Sequence, residues 1–196
     1  MANLKDIRNR IKSVKSIQQV TKAMKMVAAA KMRRAQENME QARPYTENLH
    51  ALLNSLIPHV DRLDLDELQI RDSVERKLFV IITADRGMAG AFNTNVNKIA
   101  QQSIDSFGKD KSDLICIGKK STSHFKSRNY NIVSEHVDFW SELSYDDAMN
   151  ICSMMILKFI EGSVDEVDVI YNEFINVGKQ EVRNNDFLPL IHDVKE

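Results

Sequence analysis

Asp85-Arg86-Gly87-Met88-Ala89-Gly90-Ala91-Phe92-Asn93 follows directly on an apolar run and combines charged side chains with two glycines. A loop at the carboxyl end of a strand is where open α/β sheets bind ligands, so the chemistry to consider first is a phosphate cradle. The spacing speaks against it. Gly87 and Gly90 form G-x-x-G, not G-x-G-x-x-G, and no Lys-Ser or Lys-Thr follows as in a P-loop. A tight strand-to-helix turn explains both glycines more simply, and Asp85-Arg86 reads as a local ion pair or a partner contact. Ser121 and Ser123 lie near His124 without a nucleophile-elbow pattern. His50, His59, His124, His136 and His192 are scattered, with no metal-ligand spacing. Asp146-Asp147 and Asp165-Glu166 suit helix starts and solvated turns better than paired acid/base work. Nucleophile, base and oxyanion donors never converge. The expectation is therefore no catalytic residue, no metal and no cofactor. Cys116 and Cys152 sit in apolar surroundings without a C-x-x-C, which fits reduced core thiols.

The elements that would carry these residues alternate. Lys77 to Thr83 is a continuous apolar run, the mark of a strand buried on both faces. A helix capped by Asn93 or Thr94 runs to about Phe107, with Val96, Ile99, Ala100, Ile104 and Phe107 inward. Asp113 to Gly118 is a second buried strand, Lys119 to Asn129 a basic helix and Tyr130 to Val137 a third strand. Tyr145 to Glu161 is a helix burying Ala148, Ile151, Cys152, Met155, Ile156 and Phe159, and Gly162 stops it. Val167 to Val177 and Gln180 to Leu188 are strands around a turn at Gly178-Lys179. The order predicts an α/β, Rossmann-like domain with a parallel or mixed sheet over 77–190.

The amino-terminal segment obeys a different period. Residues 3–57 contain one proline, Pro44, and no glycine. Leu4, Ile7, Ile11, Val14, Ile17, Val20, Met24, Val27 or Ala28, Met32, Ala35 and Met39 recur in steps of mostly three and four, which places them on one stripe of a helix. Asn3 can cap its start, and Pro44 predicts a bend or a kink. At 1.5 Å per residue, some fifty-five residues reach roughly 80 Å. Such a coiled-coil helix over 1–57 is expected to project from a compact domain and to require a partner helix on its stripe. Residues 58–76 read as an acidic, mixed connector and 191–196 as a tail.

Charge divides the same way. The chain is near neutral overall. Residues 1–43 hold eleven Lys and Arg against three Asp and Glu, while the rest hold sixteen against twenty-five. Such a split implies different partners for the two parts. No apolar run is long enough to span a membrane. The amino terminus shows no signal core and no presequence, so the chain is expected to act where it is made. A nucleic-acid arm is the competing reading of the basic helix. Against it, 1–43 holds no aromatic residue and the apolar stripe persists through the basic region.

Arg10 to Gln36, with its Val20-Thr21-Lys22-Ala23-Met24-Lys25-Met26-Val27-Ala28-Ala29-Ala30-Lys31 core, resembles the amino-terminal helix of the gamma subunit of the rotary ATP synthase. Val20 stands for the usual Ile. Thr83 to Asn93 is similar to that family's Ser-Asp-Arg-Gly-Leu-Cys-Gly-Gly-Phe-Asn loop, from which Ala84, Met88, Ala89 and Ala91 depart. The resemblance implies a central-stalk rotor, a non-catalytic subunit that couples proton flow to ATP synthesis or hydrolysis. It implies alpha, beta and epsilon subunits and the c-ring as partners, with nucleotide bound between alpha and beta and not here. It also implies a peripheral place on the cytoplasmic face of a bacterial inner membrane. The partner-binding residues carried over are Leu4, Ile7, Ile11, Val14, Ile17, Val20, Lys22, Met24, Lys25, Met26, Ala28, Lys31, Met32, Arg33 and Arg34 on the helix, and Asp85 and Arg86 on the loop. In the family a carboxy-terminal helix pairs antiparallel with this stripe. The chain stops at Glu196 without it, so an incomplete rotor is the expectation. A nucleotide-binding α/β protein and a basic-helix nucleic-acid binder are the alternatives.

Overall fold

The computed structural model of the chain describes residues 3–62, 64–140 and 144–191. Leu63 of the connector, His192 and positions 192–196 of the expected tail lie outside them. The chain divides into two compact units, Met1–His59 and Val60–Glu196.

The first unit is a single helix, α1 (Leu4–Leu56). Asn3 caps it as expected, its side chain accepting from the Lys5 amide at 3.4 Å. Pro44 lies inside the helix and does not end it. One amide is missing there, and the helix continues on the remaining bonds of its ladder. Thr46 donates its hydroxyl to the Ala42 carbonyl at 3.1 Å beside the interruption. A short 3₁₀ turn, Ile57–His59, closes the unit.

The second unit is an α/β domain. Its strands are β1 (Lys77–Ile82), β2 (Ser112–Ile117), β3 (Ile132–His136), β4 (Glu166–Asn176) and β5 (Lys179–Leu188). Its helices are α2 (Phe92–Phe107), α3 (Lys119–Lys126) and α4 (Tyr145–Ile160). They form a five-stranded sheet in the order β3-β2-β1-β4-β5. The first four strands run parallel, and β5 pairs antiparallel with β4. The mixed sheet matches the expectation.

Alternation along each strand sorts the core into two layers. Leu78 and Val80 of β1 join Ile115, Ile117, Ile151, Met155 and Phe159 under α4. Phe79 and Ile81 join Val96, Ala100, Ile104, Leu114, Cys116 and Phe125 under α2 and α3. Ala148, Cys152 and Ile156, expected inward on α4, are half-buried, and α3 ends at Lys126, short of the expected Asn129. Two details of α2 differ as well. The cap of α2 is Ala91, whose methyl cannot make a capping bond, while Asn93, inside the helix, spends its amide on the loop. Ile99 is exposed, one position round from the inward stripe of Val96, Ala100 and Ile104. Gly162 ends α4 as expected. Its φ of 72° allows a Schellman closure, with Ser163 N–H on the Lys158 carbonyl at 2.9 Å and Gly162 N–H on Phe159 at 3.1 Å.

Part of the connector belongs to this unit. Leu68 is buried, and Leu190 N–H donates to the Glu67 carbonyl at 2.8 Å. Arg71 donates to the Phe159 carbonyl at 3.1 Å and lies over that residue's ring. A cation thus sits at the carboxyl end of α4, where the helix dipole favours it.

Candidate functional site

Two surfaces carry the residues singled out by sequence. The first is α1. None of its residues is buried. Leu4, Ile7, Ile11, Val14, Ile17, Val20, Met24, Met26 and Met32 are each 47–72% exposed, and Ala28 among them keeps the helix surface shallow. Fully burying one such large apolar side chain is worth about 1.5–3 kcal/mol. Lys22, Lys25, Lys31, Arg33 and Arg34 are exposed alongside it. Arg33 is braced by Glu37 one turn on at 2.8 Å, an exposed pair of the kind that adds little stability.

The second surface is the loop between β1 and α2. Here tertiary structure joins what the sequence keeps apart. A helix leaves its first amides without intrahelical partners, and those of α3 are met one after another by the stem of this loop. Lys119 N–H donates to Asp85 Oδ1 at 2.8 Å, Lys120 N–H to the Ala84 carbonyl at 3.2 Å and Ser121 N–H to Thr83 Oγ1 at 2.8 Å. Asp85 Oδ1 also accepts from the Asp138 amide at 3.1 Å, after β3. Trp140 Nε1–H donates to the Thr83 carbonyl at 2.8 Å. Asn93 ties the other stem, accepting from Ala84 N–H at 2.9 Å and donating to the Arg86 carbonyl at 3.3 Å.

Gly118 permits this approach. A Cβ there would lie 2.1 Å from the Thr83 carbonyl oxygen, and its φ is 96°. Between the stems the tip is open: Arg86 is exposed, and Met88 is fully exposed at φ 59°. Of the two loop residues expected to meet a partner, Asp85 is half-buried and engaged by two backbone amides, while Arg86 faces solvent. Thr83, Gly118 and Trp140 were missed by sequence reasoning. Only Gly118, between an apolar run and a helix start, carried a readable signal.

This geometry bears on the nucleotide alternative. A helix N-terminus after a strand is a ready anion site, but that of α3 is filled by the chain's own carboxylate and loop oxygens. An apolar cavity of about 360 Å³ lies between α4 and the sheet, lined by Val80, Ile117, Trp140, Met155 and Tyr171 among others. Its lining includes no cation to meet a phosphate. Ser121 Oγ, 3.0 Å from both Thr83 Oγ1 and the Gly118 carbonyl, is fully buried, and its neighbour Ser123 is exposed. His124 Nε2 lies 3.1 Å from Gln101 Oε1, bridging α3 and α2. Burial, with the Arg128 charge, lowers its pKa. Among the described residues no group of His, Cys, Asp and Glu is arranged to hold a metal, and no helix is long and apolar enough to cross a membrane.

A family model described as ATP synthase matches residues 3–196. The ATP synthase gamma chain of Chloroherpeton thalassium is 44% identical over 201 residues, covering 100% of this chain and 66% of its own length. That of Prosthecochloris aestuarii is 47% identical over 195 residues, covering 97% of this chain and 67% of its own length. The chain thus spans about two thirds of the length of the curated relatives it matches. Among solved structures, it is similar to a chain of the central stalk and c-ring of the Tetrahymena thermophila mitochondrial ATP synthase. The TM-score is 0.71 and the identity 24%, over 87% of this chain and 72% of that one. The rotor of the Euglena gracilis mitochondrial enzyme gives a TM-score of 0.64 at 23% identity, over 95% and 62%. At those identities the structures speak to the fold. With the family model running from residue 3 to residue 196 and both relatives above 40% identity, the chain belongs to the ATP synthase gamma-chain family.

Proposed function

We propose that this chain serves in the central stalk of a rotary ATP synthase, as a non-catalytic rotor subunit that couples ion flow to ATP synthesis or hydrolysis between alpha and beta subunits. The observation that carries the reading is the exposed stripe of α1, a 53-residue helix with no buried residue. A partner helix covers Leu4, Ile7, Ile11, Val14, Ile17 and Val20. Met24, Ala28 and Met32 continue that seam, while Lys22, Lys25, Met26, Lys31, Arg33 and Arg34 meet the alpha–beta ring. The α/β unit faces the epsilon subunit and the c-ring. The complex places the chain peripherally on the cytoplasmic face of a bacterial inner membrane. Coupling of this kind needs contacts that differ between rotary positions, since a partner shifts an equilibrium only by its differential affinity. Weak exposed charge pairs along the helix suit a surface that changes neighbours.

Reconstitution tests it. The purified chain is mixed with alpha and beta subunits, and co-elution on gel filtration and ATPase rate are recorded. Co-elution that is lost on replacing Lys22, Lys25 and Lys31 by glutamate is the expected result. Failure of the unaltered chain to associate with an otherwise competent alpha–beta assembly overturns the assignment.

A further inference from the structure

Asp85 and Arg86 are adjacent in sequence but stand in different surroundings. The Asp85 carboxylate is half-buried, and its Oδ1 receives the Lys119 amide at 2.8 Å and the Asp138 amide at 3.1 Å. Those amides belong to the start of α3 and to the turn after β3, where Asp138 holds a φ of 58°. One oxygen therefore joins the three loops that leave β1, β2 and β3. The neighbouring contacts share this geometry: Ala84 O takes Lys120 N–H, Thr83 Oγ1 takes Ser121 N–H, and Trp140 holds the Thr83 carbonyl. On the far stem, Asn93 closes the loop across Ala84 and Arg86. The tip between these stems has little packing of its own. Met88 is fully exposed in the left-handed region, Gly90 has nothing near its open side, and Gly87 has only the flexible end of Lys120 within about 3.4 Å of a built Cβ. An apolar side chain held out in a costly backbone conformation by a firmly tied stem inherits its attitude from the stem.

We propose that Asp85 is a positioning residue: its carboxylate acts as an internal anion on the amino terminus of α3 and the turn after β3, and so fixes the attitude in which Arg86 and Met88 are presented. The two residues of the Asp85–Arg86 pair then have separate roles, Arg86 touching the partner and Asp85 acting through it. The contact part rests on the reading under Proposed function; the clamp itself does not.

Amide hydrogen exchange on the isolated full chain tests the clamp with no partner present. In the unaltered chain the Lys119 and Asp138 amides are protected. In Asp85→Ala they exchange about tenfold faster or more, while amides of β1 and β2 do not change, as for local opening and not global unfolding. Asp85→Asn keeps an acceptor oxygen and retains most of the protection. Added formate, which restores a carboxylate to the vacated position, slows exchange in Asp85→Ala but not in the unaltered chain. A further arm measures association with the epsilon subunit: Asp85→Ala weakens it about as much as Arg86→Ala, and the double variant is no weaker than either alone. Unprotected Lys119 and Asp138 amides in the unaltered chain overturn the clamp, and that measurement needs no variant to fold. So does unchanged exchange in Asp85→Ala, or loss that formate and asparagine fail to restore. If the unaltered chain does not bind the epsilon subunit, the functional reading of that contact fails while the exchange arm still decides the clamp.

Discussion

Trp140 donates its indole N–H to the carbonyl oxygen of Thr83 at 2.8 Å, between residues 57 positions apart. The bond closes the carboxyl end of β1 against the segment after β3. Trp140→Phe keeps most of the ring volume and removes the donor. Loss of about 1–3 kcal/mol is expected, because a buried carbonyl then lacks one partner. Urea unfolding followed by far-ultraviolet circular dichroism reads it, and an unchanged midpoint would show that water replaces the indole without cost.

Gly118→Ala should be among the most damaging single changes in the domain. The added methyl would stand 2.1 Å from the Thr83 carbonyl oxygen, at a φ of 96° that side chains rarely adopt. The neighbour is backbone and cannot swing aside. Destabilisation of roughly 3 kcal/mol or more is expected. A thermal midpoint within a degree or two of the unaltered chain would contradict it.

Lys77 lies 2.7 Å from Glu166 and 3.1 Å from Asp168. Burial raises the pKa of Asp168 despite the opposing pull of Lys77, with Asp186 and Glu166 adding to the rise. Burial also works against the Lys77 charge, but the Glu166 and Asp168 carboxylates outweigh it and hold its ammonium above the usual lysine range. The signs follow from linkage. The raised Asp168 contributes most stability below the ordinary aspartate range, and that contribution falls as pH rises through its folded value. Lys77 contributes in full below its ordinary value of 10.5 and loses that contribution as pH rises through its raised folded value. Asp168→Asn should flatten the stability profile as pH rises above the ordinary aspartate value of 3.8. Lys77→Met should cost about 3–5 kcal/mol at neutral pH, because the buried Asp168 carboxylate and the half-buried Glu166 lose their cation, with part recovered in acid. Denaturant titrations across pH read both, and a Lys77→Met loss independent of pH would refute the linkage.

The two thiols should separate by reactivity. Burial pushes the Cys116 thiol up to about 12, against a hydrogen bond from Ser121, with Glu135 adding to the rise. Cys152 is half-buried beside the apolar cavity, and burial raises its pKa as well. A disulfide reagent at pH 8 should label Cys152 slowly and Cys116 only on unfolding. Fast labelling of Cys116 in the native chain would mean that the sheet opens locally.

Replacing Ile11 and Ile17 by aspartate should leave the melting of the α/β unit unchanged, because both side chains are more than half exposed on α1. Calorimetry reads this, and a lowered midpoint for that unit would show that α1 supports it.

Much of this protein was legible in the sequence because the deciding interactions were local or periodic. The stripe from Leu4 to Met39 and the absence of glycine fix α1 through a repeat of three and four, and Asn3 marks its start. The run from Lys77 to Thr83 is apolar on both faces because layers of side chains cover both sides of β1. Gly162 ends α4 by a backbone conformation that its own type allows. Tertiary structure alone decided the loop after β1. Asn93 looked like a helix cap, yet its amide serves Ala84 and Arg86. Asp85 read as half of a local ion pair or as a partner contact, yet its oxygen joins amides 34 and 53 positions away. Nothing in the types or spacing of those residues encodes such distances. They arise because parallel strands bring their carboxyl ends to one edge of the sheet, where amides left over from one helix meet oxygens of a loop remote in sequence.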